Sequence, residues 1–444
     1  MAHDIHQTEK LRQEQIGAVR DALLESLDPS QALEMSVKEL EFTVFQSLNQ
    51  LALDSKVTMN LREQQKLTKE LIDDILGLGP LESLLNDPNV ADIMVNGCDQ
   101  VYAERHGKLE LTSIVFRNQE HVHNIAQRIA SLVGRRIDEA SPMVDARLED
   151  GSRVNVIAPP LSLNGTVISI RKFSKNRLSL EVMAQQENLS ASMARLLANY
   201  VSAKMNIVVS GGTGAGKTTL LNALSEHISE HERLITIEDA AEIQLKQPHV
   251  ISLETRAASV EGSGAVTQTD LVKNALRMRP DRILLGEVRG EEVFDMLQAM
   301  NTGHDGSLST VHANTPADAL IRLENMLSMS QSKLNPELVR KQIASSIDVV
   351  VQIERCRDGK RRITHIAEIL GCNDGHIELH TLFRFIYDGR IVDDTLEGHF
   401  DCLVEQSCKQ EKLQHAGLLN ATQQLLASQY LAKKRTVEGV NHDE

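Results

Sequence analysis

Gly211-Gly212-Thr213-Gly214-Ala215-Gly216-Lys217-Thr218-Thr219 is the stretch of the chain with the most explicit chemistry. Four glycines let a backbone fold tightly and point several N–H groups at one spot. The apolar run Ile207–Val209 before it reads as a buried strand, and Leu220-Leu221-Asn222-Ala223-Leu224 after it has helical composition. Strand, glycine loop and helix is the context in which Gly-x-x-x-x-Gly-Lys-Thr binds the phosphates of a nucleoside triphosphate. Lys217 would reach the β- and γ-phosphates, the helix would add its positive N-terminal end, and the Thr218 hydroxyl would sit on Mg²⁺.

Binding alone does not hydrolyse. Hydrolysis needs a carboxylate or other group that orients water, and open sheets place such groups at strand ends. Glu238 and Asp239 end the strand pattern Arg233–Ile237, and Glu242 follows at the spacing of one helical turn. Glu287 ends Arg282-Ile-Leu-Leu-Gly-Glu. The usual position for a magnesium-binding aspartate falls on Gly286, so Glu287 is better placed to act on the attacking water. His304 and His312 stand at the two ends of the short strand Ser307–Val311. They could bond the γ-phosphate or report on it to a neighbouring domain; a zinc site would need a third ligand nearby. A guanidinium matches phosphate bidentately, so arginines are the candidates for sensing the γ-phosphate from elsewhere. Arg147, Arg153 and Arg171 lie on strand patterns in the first half, and Arg277, Arg279, Arg282 and Arg289 in the second.

The elements that must hold these groups fall into blocks. Apolar stripes at helical spacing (Ile16, Val19, Leu23, Leu24, Leu27; Leu33 to Leu51; Leu61 to Ile75) predict a three-helix extension over residues 1–76. It is either a docking module or a packed extension. Gly77-Leu-Gly-Pro80 ends the helical pattern, and short strands and turns predict an α+β domain over 77–175. A polar bridge at 176–186 separates it from strands alternating with helices over 187–400, a largely parallel α/β sheet in RecA-like order. Gly262 and Gly264 mark a flexible loop within it, and 401–444 reads as a helical tail with a frayed, charged end.

Composition narrows the classes. At 444 residues the chain exceeds one compact core. A formal charge of −15 and the absence of Trp argue against a nucleic-acid groove. Cys98, Cys356, Cys372, Cys402 and Cys408 form no C-x-x-C pair, which suits thiols in a reducing cytoplasm. Met1–Lys10 lacks an apolar core and no run of about eighteen apolar residues occurs. The expectation is a protein with no span of its own, reaching a membrane through partners.

Taken together, SGGTGAGKTT, TIEDAAEI, LVKNALRMRPDRILLGEVRG and TGHDGSLSTVHAN resemble the type II/IV secretion traffic ATPases. ILGLGPLESLLNDPNVADIMVNG and DARLEDGSRVNVIAPP extend the resemblance, which covers about Leu71 to Arg384. His-Asp-Gly-Ser after the first histidine, the missing tetracysteine zinc element and the N-terminal helices are similar to the CpaF/TadA ATPases of Tad (Flp) pilus systems. The resemblance implies a homohexameric, cytoplasmic ATPase motor that powers pilus assembly at inner-membrane platform proteins, with ATP and Mg²⁺ between the N-terminal and RecA-like domains. It implies Lys217 and Thr218 on phosphate and Mg²⁺, Glu287 as catalytic glutamate, and Glu238, Glu242, His304 and His312 in the site. Arg153 and Arg171 match the N-terminal arginines that contact nucleotide. A type IV secretion ATPase for effector or DNA export would use the same site, and a RecA-type nucleic-acid motor is disfavoured by the charge.

Overall fold

The computed structural model describes residues 12, 15–24, 26, 35–105, 107–173, 178–256, 264–330, 335–392 and 395–440. Met1–Lys10, Leu27, Leu33 and the loop glycine Gly262 lie outside them. The chain divides into two compact units, Met1–Ser174 and Lys175–Glu444.

In the first unit, residues 15–24 are helical, followed by helices Val37–Asp54 and Leu61–Leu76. Both named helices start with a capping box: Ser36 with Glu39, and Asn60 with Glu63. The stripes predicted from spacing meet in a small core that includes Val19, Leu23, Leu40, Val44, Leu48 and Leu71. Arg128 ties down the C-terminal end of Leu61–Leu76, donating to the carbonyl oxygens of Asp74 and Gly77.

The rest of this unit is a six-stranded antiparallel sheet in the order β3-β2-β1-β6-β5-β4. Its strands are β1 Val90–Asn96, β2 Val101–Arg105, β3 Lys108–Leu111, β4 Met143–Arg147, β5 Arg153–Ile157 and β6 Val167–Arg171. Helix Gln119–Leu132 buries Val122, Ile125, Ala126 and Ile129 against it. Alternation buries Val154, Val156, Ile168 and Ile170 and leaves the intervening residues on the other face. That second face carries Arg147, Arg153, Arg171 and Asp92 in one cross-strand row, because each is the register partner of the next.

The second unit is built on a nine-stranded sheet, β15-β14-β13-β12-β7-β11-β10-β8-β9. The strands are β7 Ile207–Gly211, β8 Leu234–Glu238, β9 Val250–Glu254, β10 Arg282–Val288, β11 Leu308–Val311, β12 Val349–Arg355, β13 Arg361–Asn373, β14 His376–Val392 and β15 Thr395–Cys402. From β12 to β9 every pairing is parallel; β12 to β15 is an antiparallel meander. β7, β8 and β11 are buried at every residue, the texture of parallel strands covered on both faces. Helices pack on both faces and form two cores with β7 as the shared centre: Val209 and Leu220 belong to one, Val208 and Leu297 to the other.

One expectation changes. Of the bridge at 176–186, residues 176–177 lie outside the described residues, and Leu180–Gln185 is a helix capped by Ser179 with Leu180 and Met183 in the core. Toward the C-terminus, helices Gln410–His415 and Leu419–Val440 form the expected helical tail and pack on the sheet through Leu413, Leu425 and Leu426; residues 441–444, where its charged end falls, lie outside the described residues. The apolar spacing of these residues supplies the reason: burying three leucines outweighs the polar surroundings.

Candidate nucleotide site

β7 has β11 on one side and β12 on the other, and the chain leaves β7 toward β8 but returns to β12. This reversal of direction opens a crevice at the carboxyl ends of the strands. Residues 211–216 lie there. Gly214 (φ +68°) and Gly216 (φ +98°) adopt left-handed backbone that a side chain would strain. A Cβ on Gly211 would come 2.4 Å from the Ile353 carbonyl oxygen, so the loop's base fits against β12 only as glycine. Gly216 caps the helix Lys217–Ser225 from outside, leaving the first-turn N–H groups directed into the loop. The Lys217 ammonium donates to the carbonyl oxygens of Gly211 and Gly212, both at 3.1 Å. The cradle, cation and helix N-terminus fit a polyphosphate, and the half-buried Thr218 stands at the helix start where a hydroxyl could join a cation's shell. Thr213, Ala215 and Thr219 contribute backbone to the same turn.

Glu287 reaches this edge through a defect in β10. Leu285 pairs with Ser309 and Val288 with Val311, so Gly286 and Glu287 oppose the single residue Thr310. Such a bulge re-aims the extra side chain. The Thr310 hydroxyl donates to the Gly286 carbonyl oxygen at 2.6 Å and fixes it. A Cβ on Gly286 would sit 2.8 Å from Cγ of Glu238, so Glu238 fills the space that an aspartate there would need. The carboxylate therefore arrives one residue later.

Burial pushes the Glu287 carboxyl up, but its hydrogen bond from Arg289 and the charges of Arg289, Lys217 and His312 outweigh that and hold it below the ordinary range. Arg289 bonds Glu287 at 2.8 Å and Asp239 at 3.2 Å, bridging the ends of β10 and β8. Glu287, Lys217, His312, Arg289 and Asp239 are thus brought together.

Other predicted residues stand elsewhere. Glu238 is 3% exposed, and its Oε1 accepts the backbone N–H groups of Glu242 and Ile243 at 2.8 and 3.0 Å. Glu242 is consequently on an extended loop, not one turn along a helix: the buried carboxylate takes the N–H groups a helix would have used. His304 and His312 are separated by β11, a four-residue strand about 13 Å long, parallel to β7. His312 follows β11 at the loop edge; His304 precedes it, at the opposite edge, with its ring against the Ala299 carbonyl oxygen.

That opposite edge explains much of the Thr302–Ser307 motif. Arg282, 1% exposed, forms a two-pronged pair with Glu232 at 2.8 Å and donates to the Val201 carbonyl oxygen. A Cβ on Gly306 would lie 2.5 Å from the Arg282 guanidinium. Asn206 accepts the N–H groups of Gly306 and Ser307. Arg282 is thereby a structural cation, at the wrong end of β10 to meet a nucleotide in the crevice. Arg277 and Arg279 lie between helix Gln268–Ala275 and β10, also ahead of the strand.

Arg355 and Arg361 escape the sequence reading. Arg361 Nε donates to the Gly214 carbonyl oxygen at 3.0 Å, and Arg355 Nη1 is 3.8 Å from where a Gly214 Cβ would be. Only the register of the β12–β13 hairpin, Arg355 opposite Arg361, reveals them.

With this geometry in place, comparison with known proteins is direct. Residues 74–428 match the model of the family described as "Type II/IV secretion system protein". The chain belongs to the type II/IV secretion system protein family. A putative conjugal transfer protein of Mycobacterium tuberculosis (strain H37Rv) is 38% identical over 337 residues, covering 74% of this chain and 93% of the relative. The type IV secretion system protein VirB11 of Brucella suis is 33% identical over 320 residues, covering 66% of this chain and 88% of that protein. Among solved structures, the VirB11 ATPase from the Brucella suis type IV secretion system, in complex with sulphate, matches with a TM-score of 0.35 and 31% identity over 65% of this chain and 94% of that one. Family membership rests on the sequence match, which spans both the α+β sheet and the glycine loop; residues before 74 are outside it.

Proposed function

We propose that this chain is an ATP-hydrolysing motor of a type IV secretion or conjugation machine. The observation that carries the reading is the convergence of Lys217, Glu287 and His312 at the loop edge of a parallel sheet, in which β11 separates the glycine-loop strand from the strand bearing Glu287. The relatives named for conjugal transfer and type IV secretion support the choice of machine.

In this reading the loop N–H groups and Lys217 hold the phosphates of ATP. Thr218 helps hold Mg²⁺, which would neutralise charge on the phosphates. Glu287, kept ionised by Arg289, orients and deprotonates the attacking water. Glu238 fixes the acidic loop bearing Glu242. A guanidinium matches phosphate bidentately, and we assign Arg153 and Arg171, register partners on β5 and β6, to the terminal phosphate, as the family resemblance implies. The working form is a homohexamer, cytoplasmic and held at the inner membrane by partners; no described helix is long and apolar enough to cross a membrane.

A second reading, the Tad pilus motor, is favoured by one observation: the helices before residue 74, outside the family match, form a packed bundle resembling the CpaF-type extension. Phosphate release from Mg-ATP by the purified chain tests the shared core. Lys217→Ala should abolish it, and an active Lys217→Ala protein would refute the site. Co-purification with secretion-channel components supports the first machine; co-purification with a pilus platform protein supports the second.

A further inference from the structure

The β12–β13 hairpin stands over the phosphate loop, and no step of the proposed hydrolysis uses it. Arg355 and Arg361 face each other across the two strands. Arg361 bonds the Gly214 carbonyl oxygen, and its Cδ is 3.1 Å from where a Gly216 Cβ would sit. Two guanidinium groups therefore lie along Gly214–Gly216, beside the N–H groups that cradle phosphate.

The hairpin is also built to hold that position. Asp358, in its turn, receives a two-pronged bond from Arg362 at 3.0 and 2.7 Å, and both side chains are under 5% exposed. Asp358 further accepts N–H groups of Leu396 and Lys360. Burial opposes ionisation of Asp358, yet these bonds bring its carboxyl down to about 2. The Arg362 guanidinium lies 5.3 Å from the Phe385 ring centre, fixing the hairpin to β14. On the other side Asn188 donates to the Arg361 carbonyl oxygen at 2.6 Å and accepts the Ile363 N–H at 2.7 Å. A rigid frame thus presents two exposed arginines to a loop that binds anions.

We infer that Arg355 and Arg361 are nucleotide-binding residues that contact phosphate oxygens of the nucleotide held by the Gly211–Thr218 loop. The inference rests on the nucleotide reading of that loop. It adds a wall supplied by the antiparallel extension of the sheet, so that the phosphates are gripped from β13 as well as from Lys217. Guanidinium–phosphate bonds are charge-assisted and stronger than neutral ones.

The test is equilibrium binding of ADP and of inorganic tripolyphosphate to the full chain, wild type against Arg355→Ala, Arg361→Ala and Arg355→Gln. Both arginines are exposed, and thermal melting checks that each variant keeps its fold. Each substitution should weaken both ligands roughly tenfold, the loss expected for one hydrogen bond to a charged group. Arg355 variants with wild-type affinity would reduce Arg361 to a brace for the loop and overturn the inference. Loss of ADP binding with tripolyphosphate unchanged would place the contact on base or ribose and also overturn it. A wild-type chain that binds neither ligand would refute the nucleotide reading itself, and the inference with it; wild-type binding with unaffected variants refutes only the inference.

Discussion

The two edges of the parallel sheet use the same residue types to opposite ends. At the amino edge Arg282 is matched by Glu232, Lys409 and Lys412 by Asp348, and Lys412 also by Asp305. Asn206 spends both ends of its amide on backbone groups there. At the carboxyl edge Lys217 rests on its own loop's carbonyl oxygens, two arginines stand opposite each other, and Glu287 sits on a bulge. One edge is closed by mutual neutralisation, and the other gathers positive charge around glycine backbone. Burial makes the first an element of stability; the glycine backbone, Lys217 and the helix N-terminus make the second a place for an anion. A single sequence motif, Thr302 to Asn314, serves both, since β11 carries it from one edge to the other.

Substitutions can separate the edges. Arg282→Ala should have the largest effect on stability. It leaves Glu232 buried without its main partner, a loss of about 3–5 kcal/mol read from denaturant unfolding. Burial raises the Glu232 carboxyl, but Arg282 and Lys204 hold it low. Its contribution is therefore present above the usual carboxylate range and lost as pH falls, and the variant should flatten the acid side of the stability profile. A normal stability profile would contradict the structural role of Arg282.

The histidines give the next contrast. His312→Ala should slow steady-state hydrolysis by about 10²-fold, in the range of a lost acid–base or positioning group. His304→Ala should leave the chemical step within about twofold while lowering thermal stability modestly, by the ~1 kcal/mol typical of a single side-chain replacement. Equal kinetic losses would mean that the amino edge takes part in catalysis.

The smallest predicted change is a displacement in pH. Arg289→Ala removes the bond and charge that hold Glu287 low, while burial continues to push it up. The acidic limb of kcat/KM should move to higher pH, with the plateau less affected. A limb that stays in place would detach Glu287 from the observed ionisation.

Much of the fold is legible in the sequence. The largely apolar runs of β7, β8, β10 and β12 mark buried parallel strands, and the glycine loop declares its own geometry. What stays hidden depends on pairing. β14 escapes because a bulge where Ile366–Ala367 pairs with Phe383–Thr381 interrupts the alternation, so that Leu382 and Phe383 are both buried. The helical spacing of Glu242 from Glu238 misleads because the buried Glu238 carboxylate captures the N–H groups of Glu242 and Ile243. The positions of His304 and His312 at two strand ends are readable, but which end meets the loop requires the direction of β11 relative to β7. Arg355 and Arg361 are six residues apart in sequence, and hairpin register alone makes them a pair.

The central claim is that Glu287 activates water for a nucleotide held by the Lys217 loop. Glu287→Gln keeps the shape and removes the base. Single-turnover hydrolysis of Mg-ATP, measured alongside equilibrium ATP binding, tests it most directly. The account predicts wild-type affinity with hydrolysis reduced by about 10²- to 10⁴-fold. Undiminished single-turnover hydrolysis in Glu287→Gln would contradict it.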